Sequence, residues 1–281
     1  MVTIKILVTG VTGQLGYDVV QELIKRNIEC VGTSSKDFDI RDAAATLDFI
    51  ETYAPDAVVH CAAYTAVDKA EDEPAECMEI NEAGTRNIAL ACKKIHAKMV
   101  YLSTDYVFPG IGSWYHDIET ATAPLNVYGK SKLAGEKIVQ DILDAYFIVR
   151  ISWVFGKNGS NFVKSMLHLA QDHTELAIVG DQVGSPTYTV DLAVLLCDML
   201  ATEAYGIYHA ANEGICSWAE FAEEIFRLAD RPIHVKAIPS SDYPTKALRP
   251  LNSRLEKGKL VQAGFHRLPV WQDAVKRYLE S

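Results

Sequence analysis

The residues of this chain that could do chemistry include a tyrosine and a lysine four positions apart. At helical spacing, the side chains of Tyr128 and Lys132 share one face. The lysine ammonium can then stabilise the phenolate that forms when Tyr128 donates its proton. Thr104 follows a short β-branched run, and its hydroxyl can hydrogen-bond a substrate carbonyl. These residue types predict general acid catalysis at a carbonyl oxygen.

A second group of residues is a glycine-rich turn near the N-terminus, Gly10-Val-Thr-Gly13-Gln-Leu-Gly16. Glycines let the backbone turn sharply and approach a pyrophosphate, while a helix N-terminus offers unpaired N–H groups to phosphate oxygens. The spacing differs from the G-x-G-x-x-G fingerprint, but the turn lies after a predicted strand and before a predicted helix, as the fingerprint does. The turn predicts a dinucleotide cofactor.

The end of the second predicted strand indicates which nicotinamide cofactor is bound. A carboxylate at this point often holds the ribose hydroxyls of NAD. Here the strand ends in Gly32-Thr-Ser-Ser-Lys36, and the first acid is Asp37. Because the hydroxyls of Ser34 and Ser35 and the ammonium of Lys36 can accept a 2′-phosphate, the sequence favours NADPH, with NADH as a second choice.

A parallel sheet is the element that must bring these residues together. Up to about residue 156, β-branched runs alternate with helical periodicity, which is typical of an α/β, Rossmann-type doubly wound parallel sheet. Right-handed crossovers place all strand C-termini at one edge, where ligands bind. The predicted strands are Ile4–Thr9, Glu29–Thr33, Ala57–Cys61, Lys98–Ser103 and Phe147–Ser152. The predicted helices are Gln14–Arg26, Ala43–Tyr53, Pro74–Ile95 and Tyr128–Leu143.

The second half of the chain has a less regular pattern. We expect residues 1–156, with returning segments of the C-terminal half, to form a dinucleotide-binding domain. Residues 157–281 would form mainly a smaller C-terminal substrate-binding cap, with a cleft between the two. The stretch Pro239–Arg254 is predicted to be a long surface loop of the kind that often carries function.

Composition limits the classes of partner. The chain has 281 residues, 49% hydrophobic and 23% charged, with 27 Lys and Arg against 37 Asp and Glu. A formal charge of −10 repels polyanions, so we expect no nucleic acid and no membrane as a partner. No stretch approaches the ~18 consecutive apolar residues of a membrane-spanning helix, and the N-terminus lacks a signal-peptide pattern. The sequence therefore predicts a cytoplasmic protein that acts on a small molecule.

The cysteines give no sign of a metal site or of a disulfide framework. They are scattered, without a C-x-x-C pair or a histidine at ligand spacing. We expect reduced thiols that pack as small hydrophobic side chains, and no bound metal. The six positions are Cys30, Cys61, Cys77, Cys92, Cys197 and Cys216.

Taken together, these motifs resemble the extended short-chain dehydrogenase/reductase superfamily and, within it, the dTDP-4-dehydrorhamnose reductase family. The segments that carry the likeness span nearly the whole chain. They are Gly10–Gly16, Cys61–Glu71, Ser103–Phe108, Pro124–Lys132, Arg150–Phe155, Gly159–Phe162, Asp181–Thr187 and Arg249–Ser253.

The resemblance implies an activity, a cofactor and a set of site residues. It implies reduction of the 4-keto group of dTDP-4-dehydro-6-deoxy-L-mannose to dTDP-L-rhamnose, a nucleotide sugar of polysaccharide biosynthesis. Tyr128 would protonate the keto oxygen, Lys132 would hold the nicotinamide ribose, and Thr104 would polarise the carbonyl. The implied cofactor contacts are Gly10, Gly13, Gln14, Leu15, Gly16, Ser34, Asp39, Ile40, Ala62, Ala63, Tyr64, Thr65, Tyr128 and Lys132. The implied substrate contacts are Thr104, Asp105, Trp153, Asn161, Gln182 and Arg249.

Relatives of this family define the alternatives. Sugar-nucleotide dehydratases carry an Asp-Glu pair after the catalytic threonine, whereas this chain has Asp105-Tyr106, which disfavours elimination of water. A 4-epimerase with retained NAD stays open, as does a non-catalytic binding subunit similar to the regulatory subunit of methionine adenosyltransferase. Some reductases of the group dimerise through a metal held by carboxylates. Because Thr189-Val190-Asp191 offers only one acid, we expect a monomer or a weak homodimer.

Overall fold

Alternating strands and helices build one parallel sheet with helices on both faces. The computed structural model describes residues 4–281. In chain order the strands are β1 (Lys5–Thr9), β2 (Glu29–Thr33), β3 (Ala57–His60), β4 (Lys98–Thr104), β5 (Tyr146–Ile151), β6 (Val154–Phe155), β7 (Glu175–Val179), β8 (Val183–Gly184), β9 (Thr187–Tyr188), β10 (Gly206–His209), β11 (Asn212–Glu213), β12 (Cys216–Ser217), β13 (His234–Ile238), β14 (Asn252–Ser253) and β15 (Leu268–Val270).

The helices follow the same chain order. They are α1 (Gln14–Lys25), α2 (Ala43–Tyr53), α3 (Val67–Ala70), α4 (Pro74–Met78), α5 (Thr85–Ile95), α6 (Val127–Ile142), α7 (Phe162–Leu169), α8 (Thr189–Leu200), α9 (Trp218–Leu228), α10 (Gly258–Gln262) and α11 (Trp271–Glu280). In the part of the chain that the structure describes, none of these helices combines the length and apolar character needed to cross a membrane.

The central sheet has the order β10-β5-β4-β3-β1-β2, and all its neighbouring strands run parallel. The strand order reverses at β1, and the crevice at such a switch point is where ligands bind in open α/β sheets. The predicted Rossmann-type fold is therefore confirmed. The five predicted strands of the first half agree with the structure to within one residue at each end.

Two apolar layers cover the faces of the sheet. Successive residues of β1 point to opposite sides, so Ile6 and Val8 pack against α1 and α8, while Leu7 packs against α2, α5 and α6. The second half of the chain thus returns to the first, because α8 covers the sheet and β10 extends it beside β5. A third apolar cluster, around Phe155 and Phe221, holds α7, α9 and α11 together.

The predicted helix Pro74–Ile95 differs from the structure at its centre. A π-helical segment, Glu79–Gly84, separates α4 from α5. Within it, Asn81 accepts a hydrogen bond from the Tyr64 backbone N–H at 2.8 Å and donates to Ser131 Oγ at 2.9 Å. These contacts reach residues far away in sequence, and helical periodicity carries no information about them.

The predicted loop Pro239–Arg254 also contains regular structure. A single 3₁₀ turn, Ser240–Asp242, opens it, and the short strand β14 pairs with β8 near its end. The rest of the stretch is irregular, as predicted. Strand β14 forms because its partner β8 lies next to it in the fold, about seventy residues away in sequence, which local composition cannot reveal.

Candidate active site

A cleft of about 910 Å³ runs along the C-terminal edge of the central sheet. Its floor comes from the turns after β1, β2, β3 and β4 and from the first turns of α6, and the cap contributes aromatic side chains. The predicted residues that line it are Gly10, Gly13, Gln14, Leu15, Gly16, Ser34, Asp39, Ile40, Ala62, Ala63, Thr65, Thr104, Asp105, Tyr128, Lys132 and Trp153. The structure therefore brings the glycine turn, the end of β2 and the set Thr104, Tyr128 and Lys132 into one cleft.

The glycine turn leaves no room for side chains. Gly10 has a φ of +73°, and a Cβ there would lie 2.6 Å from the backbone nitrogen of Ala62. A Cβ on Gly16 would lie 2.5 Å from the Gly10 carbonyl oxygen. Gly13 begins helix α1 without any side-chain cap, so the first N–H groups of the helix stay available to a ligand. This cradle fits the diphosphate of a dinucleotide.

The end of β2 presents a different set of groups from the one that the sequence suggested. The Ser34 backbone N–H and Oγ both donate to Asp37, at 2.8 and 2.9 Å. Arg41 lines the cleft beside Ser34 and Asp39, whereas Lys36 does not. The Arg41 guanidinium donates to both carboxylate oxygens of Asp39 at 2.7–3.0 Å. Arg41 is not among the residues predicted from the sequence, although a cation two residues after Asp39 is a signal that the sequence contains.

Helix α6 positions Tyr128 and Lys132. Asn126 caps the helix, because its Oδ1 accepts a hydrogen bond from the Gly129 N–H at 2.8 Å. A Cβ at Gly129 would lie 2.3 Å from the Tyr106 carbonyl oxygen. A glycine at this position therefore lets the start of the helix pack directly against the segment that follows Thr104.

Burial dominates the electrostatics of the pair. Lys132 is only 3% exposed, and burial lowers its pKa to about 7, while the charge of Glu136 acts in the opposite direction. Its Nζ lies 4.1 Å from the centre of the Tyr101 ring. Burial, with the charge of Asp105 as a smaller cause, raises the pKa of Tyr128 above its ordinary value. Proton donation by Tyr128 therefore requires a cation that stabilises the phenolate.

Thr104 and Asp105 stand opposite Tyr128 at the end of β4. The Thr104 hydroxyl donates to Asp105 Oδ1 at 3.0 Å and accepts from the Tyr106 N–H at 3.2 Å. Asp105 is 2% exposed, and burial raises its pKa to about 6. Within residues 4–281, its Oδ2 has no well-formed hydrogen bond, although the side chain of Ser253 lies close enough to lower the pKa of the carboxyl group. A buried carboxylate with an open acceptor position suits a ligand hydroxyl.

A pair of stacked indoles lines the cleft, one from the loop between β5 and β6 and one from the start of α9. Trp153 and Trp218 stack with centroids 3.8 Å apart and an interplanar angle of 13°. Gln182, which does not line the cleft, accepts a hydrogen bond from Trp218 Nε1 at 3.2 Å. Trp218 is not among the residues predicted from the sequence, although the capping box Ser217-x-x-Glu220 places it at the first position of α9. In the structure it lines the cleft.

Three other predicted residues lie outside the lining of the cleft. Asn161 caps α7 and donates to the Gln14 side chain at 3.0 Å. The Tyr64 hydroxyl donates to a carboxylate oxygen of Glu73 at 2.8 Å. Arg249 forms an ion pair with Asp68 and donates to the Tyr106 hydroxyl at 3.3 Å. Each of these side chains thus already has a protein partner.

No cluster of metal-ligating side chains occurs within residues 4–281, counting groups of three or more His, Cys, Asp or Glu. The acid considered for a metal bridge, Asp191, is bound by Arg277 at 2.7 and 2.8 Å and by the Asn212 amide at 2.7 Å. Its carboxylate is therefore engaged within the chain.

Comparison with known proteins agrees with this geometry. A reductase named dTDP-4-dehydrorhamnose reductase from Streptomyces griseus is 40% identical over 277 residues, which are 96% of this chain and 91% of the relative. Its namesake from Escherichia coli K12 is 39% identical over 294 residues, 98% of this chain and 97% of the relative. The crystal structure of dTDP-4-dehydrorhamnose reductase from Bacillus anthracis, in complex with NADP, superposes with a TM-score of 0.97 at 39% identity, covering 99% and 100% of the two chains.

The family model described as "RmlD substrate binding domain" matches residues 4–281, so the match covers both halves of the fold and the whole cleft. This chain therefore belongs to the dTDP-4-dehydrorhamnose reductase family.

Proposed function

We propose that this protein reduces the 4-keto group of dTDP-4-dehydro-6-deoxy-L-mannose with NADPH and forms dTDP-L-rhamnose. The observation that carries the proposal is the convergence of Thr104, Tyr128 and Lys132 in one cleft with the glycine turn. The relatives named dTDP-4-dehydrorhamnose reductase, similar over nearly their whole length, support this substrate, and the NADP complex of the Bacillus anthracis enzyme supports the cofactor.

The residues of the cleft divide the work of the reduction. Bound NADPH supplies the hydride. The Thr104 hydroxyl, once turned away from Asp105 Oδ1, would donate a hydrogen bond to the keto oxygen and orient it, and the phenol of Tyr128 would give its proton to the same oxygen. The Lys132 ammonium stabilises the resulting phenolate, an effect that burial strengthens because little water screens the charges.

The cofactor would lie across the switch point of the sheet. The glycine turn and the N-terminus of α1 would hold the diphosphate, and Lys132 would reach the nicotinamide ribose. At the other end, Ser34, Ser35 and Arg41 would hold the 2′-phosphate. Asp39, which binds Arg41, offers an acceptor for ribose hydroxyls, so NADH should also be accepted. It should bind more weakly than NADPH because it lacks the phosphate that Arg41 would hold.

The cofactor preference provides a prediction with a matched control. Replacing Arg41 with alanine removes the cation that lines the cleft, so kcat/KM for NADPH should fall about tenfold while kcat/KM for NADH stays nearly unchanged. Lys36→Ala removes a neighbouring cation outside the lining and should change neither value. Steady-state kinetics of both variants with each cofactor measure these kcat/KM values. An equal loss with NADPH and NADH in Arg41→Ala would contradict the assignment.

The nucleotide sugar would extend from Thr104 towards the cap. The Trp153–Trp218 pair would pack on its apolar faces, and Arg249 would bind the diphosphate after leaving Asp68.

Residues 1–156 with α8 and β10 would form the cofactor domain, and 157–281 mainly the cap. Because Asp191 is engaged by Arg277, we favour a monomer or weak homodimer without a bridging metal. A cytoplasmic location fits a nucleotide-sugar substrate.

The direct test follows NADPH absorbance after purified protein is mixed with enzymatically prepared dTDP-4-dehydro-6-deoxy-L-mannose. We expect one NADPH oxidised for each sugar reduced, with dTDP-L-rhamnose identified by mass and by NMR. Interconversion of sugars without net NADPH oxidation would establish the epimerase alternative. Cofactor binding without turnover of any 4-keto nucleotide sugar would favour the non-catalytic binding subunit.

A further inference from the structure

A buried ion pair lies directly behind the catalytic pair of α6. Glu136 is one helical turn beyond Lys132 and two beyond Tyr128, and it is 1% exposed. Arg150 on β5 donates to its two oxygens, from Nε at 2.9 Å and from Nη2 at 2.7 Å. The Ser103 hydroxyl donates to the Glu136 Oε1 as well, at 2.5 Å. The carboxylate is thus bound from both β4 and β5.

The guanidinium nitrogen of Arg150 that does not contact Glu136 also has a hydrogen-bond partner. Its Nη1 donates to His209 Nε2 at 3.4 Å, and the Nδ1–H of that imidazole donates to the His116 carbonyl oxygen at 3.1 Å. Burial lowers the pKa of His209 to about 3, which keeps the ring neutral and able to accept. The guanidinium also stacks 5.0 Å from the centre of the Phe108 ring. The network therefore joins α6, β4, β5 and β10 with its charges fully paired.

Stability alone does not account for such a pair. Removing two charges from water costs so much that apolar side chains of similar volume often stabilise a fold as well or better. The placement of this pair suggests what it does instead. Ser103 immediately precedes Thr104, and Glu136 continues the helical face of Lys132. The network consequently fixes the distance between the hydroxyl on β4 and the proton donor on α6.

The groups that face Lys132 come from four elements. Tyr128 and Glu136 belong to its own helix, Tyr101 to β4, His60 and Cys61 to β3 and its end, and Cys77 to α4. Burial lowers the pKa of His60 to about 3 and raises the pKa of Cys61 to about 12, so both are neutral near pH 7. Glu136 supplies the negative charge within this set.

We propose that Glu136 is a positioning residue for the reaction: held by Arg150 and Ser103, it fixes the catalytic helix against Thr104 and keeps Lys132 protonated. The inference rests on the proposed function, since it assigns to Glu136 a part in that reductase mechanism. Glu136 makes no contact with the reacting atoms and acts through Lys132 and Thr104.

The decisive variant is Glu136→Gln, which keeps the shape and an acceptor for Ser103 but removes the charge. Without the carboxylate, and with Arg150 left unpaired, protonated Lys132 is disfavoured and its pKa falls. Activity that depends on protonated Lys132 is then lost at lower pH. We expect the alkaline limb of the kcat/KM profile for NADPH oxidation to move down by about one pH unit. An alkaline limb at the wild-type position would overturn the proposal.

Two control variants separate positioning from loss of stability. Val139→Ala removes apolar atoms from the buried face of the same helix and should leave the alkaline limb unmoved. A shift equal to that of Glu136→Gln would overturn the proposal. Glu136→Asp keeps the charge but retracts it, so we expect kcat to fall about tenfold with the limb in place. If Glu136→Gln does not fold, the test is Glu136→Asp alone, and a wild-type kcat in that variant would overturn the proposal.

A binding measurement keeps this inference separate from the proposed function. The dissociation constant of NADPH, followed by quenching of tryptophan fluorescence, should rise with pH as Lys132 loses its proton, and Glu136→Gln should shift that rise to lower pH. If the wild-type protein binds NADPH but turns over no sugar, the proposed function fails while the shift still supports the role of Glu136. If the sugar is turned over and neither profile shifts, the role of Glu136 fails alone.

Discussion

At the scale of single residues, the phenol of Tyr128 is the group on which the chemistry depends. Its burial raises the pKa, so the proton leaves only into a site prepared to receive it. Tyr128→Phe should therefore lower kcat by at least ~10²-fold, the usual effect of a missing general acid. Affinity for NADPH should be nearly unchanged, because the ring remains packed against Tyr106. Single-turnover kinetics together with a binding titration test this, and near-normal turnover would refute it.

Asp105 gives a second prediction at this scale, concerning pH. Its pKa is raised by burial to about 6, so the carboxylate becomes protonated as the pH falls through 6 and loses the charge that makes it a strong acceptor for a substrate hydroxyl. We expect an acid limb near pH 6 in kcat/KM, carried by KM for the sugar. Asp105→Asn should lower the plateau about tenfold and abolish that limb.

The same residue makes a prediction for stability that does not depend on activity. A carboxyl group whose pKa is raised in the folded state lowers the free energy of unfolding as the pH rises from about 4 to 6. Above that range the loss of stability is complete. Asp105→Asn removes the penalty, so the variant should gain up to about 3 kcal/mol at pH 8 relative to wild type and well under about 1 kcal/mol at pH 4. Urea unfolding at the two pH values measures the difference, and a loss of stability at pH 8 would contradict the argument.

At the scale of elements, the connection from β6 to α7 lies over the glycine turn. The Asn158 amide donates to the carbonyl oxygens of Thr12 and Gly13 at 3.0 and 3.1 Å. Asn161, at the start of α7, donates to the side chain of Gln14. Since the glycine turn is the expected binding site of the cofactor diphosphate, we expect this segment to contact the bound cofactor and to slow its release.

We expect Asn158→Ala to speed the release of NADP⁺. Loss of two hydrogen bonds of ordinary strength should raise the dissociation rate about three- to tenfold. Stopped-flow displacement of NADP⁺ by excess NADPH measures this rate. The matched control is Gln171→Ala, an exposed position just beyond the C-terminal end of α7, which should release NADP⁺ at the wild-type rate. Equal rates in wild type and Asn158→Ala would show that the segment does not retain the cofactor.

Elements also show where periodicity stops being informative. The pattern of apolar residues predicted α1, α2 and α6 well, because each helix buries one face against the sheet. It did not reveal the π-helical segment around Asn81 or the two-residue strands of the second half, such as β8 and β14. These features depend on partners distant in sequence, such as Ser131 for Asn81 and Ser253 for Gly184.

At the scale of the whole molecule, the two halves of the chain share a core. Leu192, Leu196 and Met199 of α8 pack with Val19 and Leu23 of α1 in one apolar cluster. Strand β10 hydrogen-bonds to β5 and closes that edge of the sheet. The central sheet and the apolar layer on one of its faces are therefore complete only when the second half of the chain has folded onto the first.

A truncated chain tests this shared core. A fragment of residues 1–156 would leave the outer faces of α1 and β5 uncovered, which removes several large side chains from the core at roughly 1.5–3 kcal/mol each. We expect the fragment to lack a cooperative thermal transition, whereas the full chain unfolds cooperatively. Circular dichroism during heating compares the two. A sharp transition in the fragment would mean that the N-terminal half folds by itself.

The sequence by itself determined the parallel α/β class, the glycine turn and the order of Thr104, Tyr128 and Lys132, because these depend on short-range periodicity and on motifs within single elements. Only the tertiary structure decided that Arg41 rather than Lys36 lines the cleft and that Trp218 stacks on Trp153. It alone joined Glu136 to Ser103, Arg150 and, through Arg150, His209. These contacts join residues from different elements, and burial sets their strength. Local sequence patterns show neither which elements come into contact nor how deeply a side chain is buried.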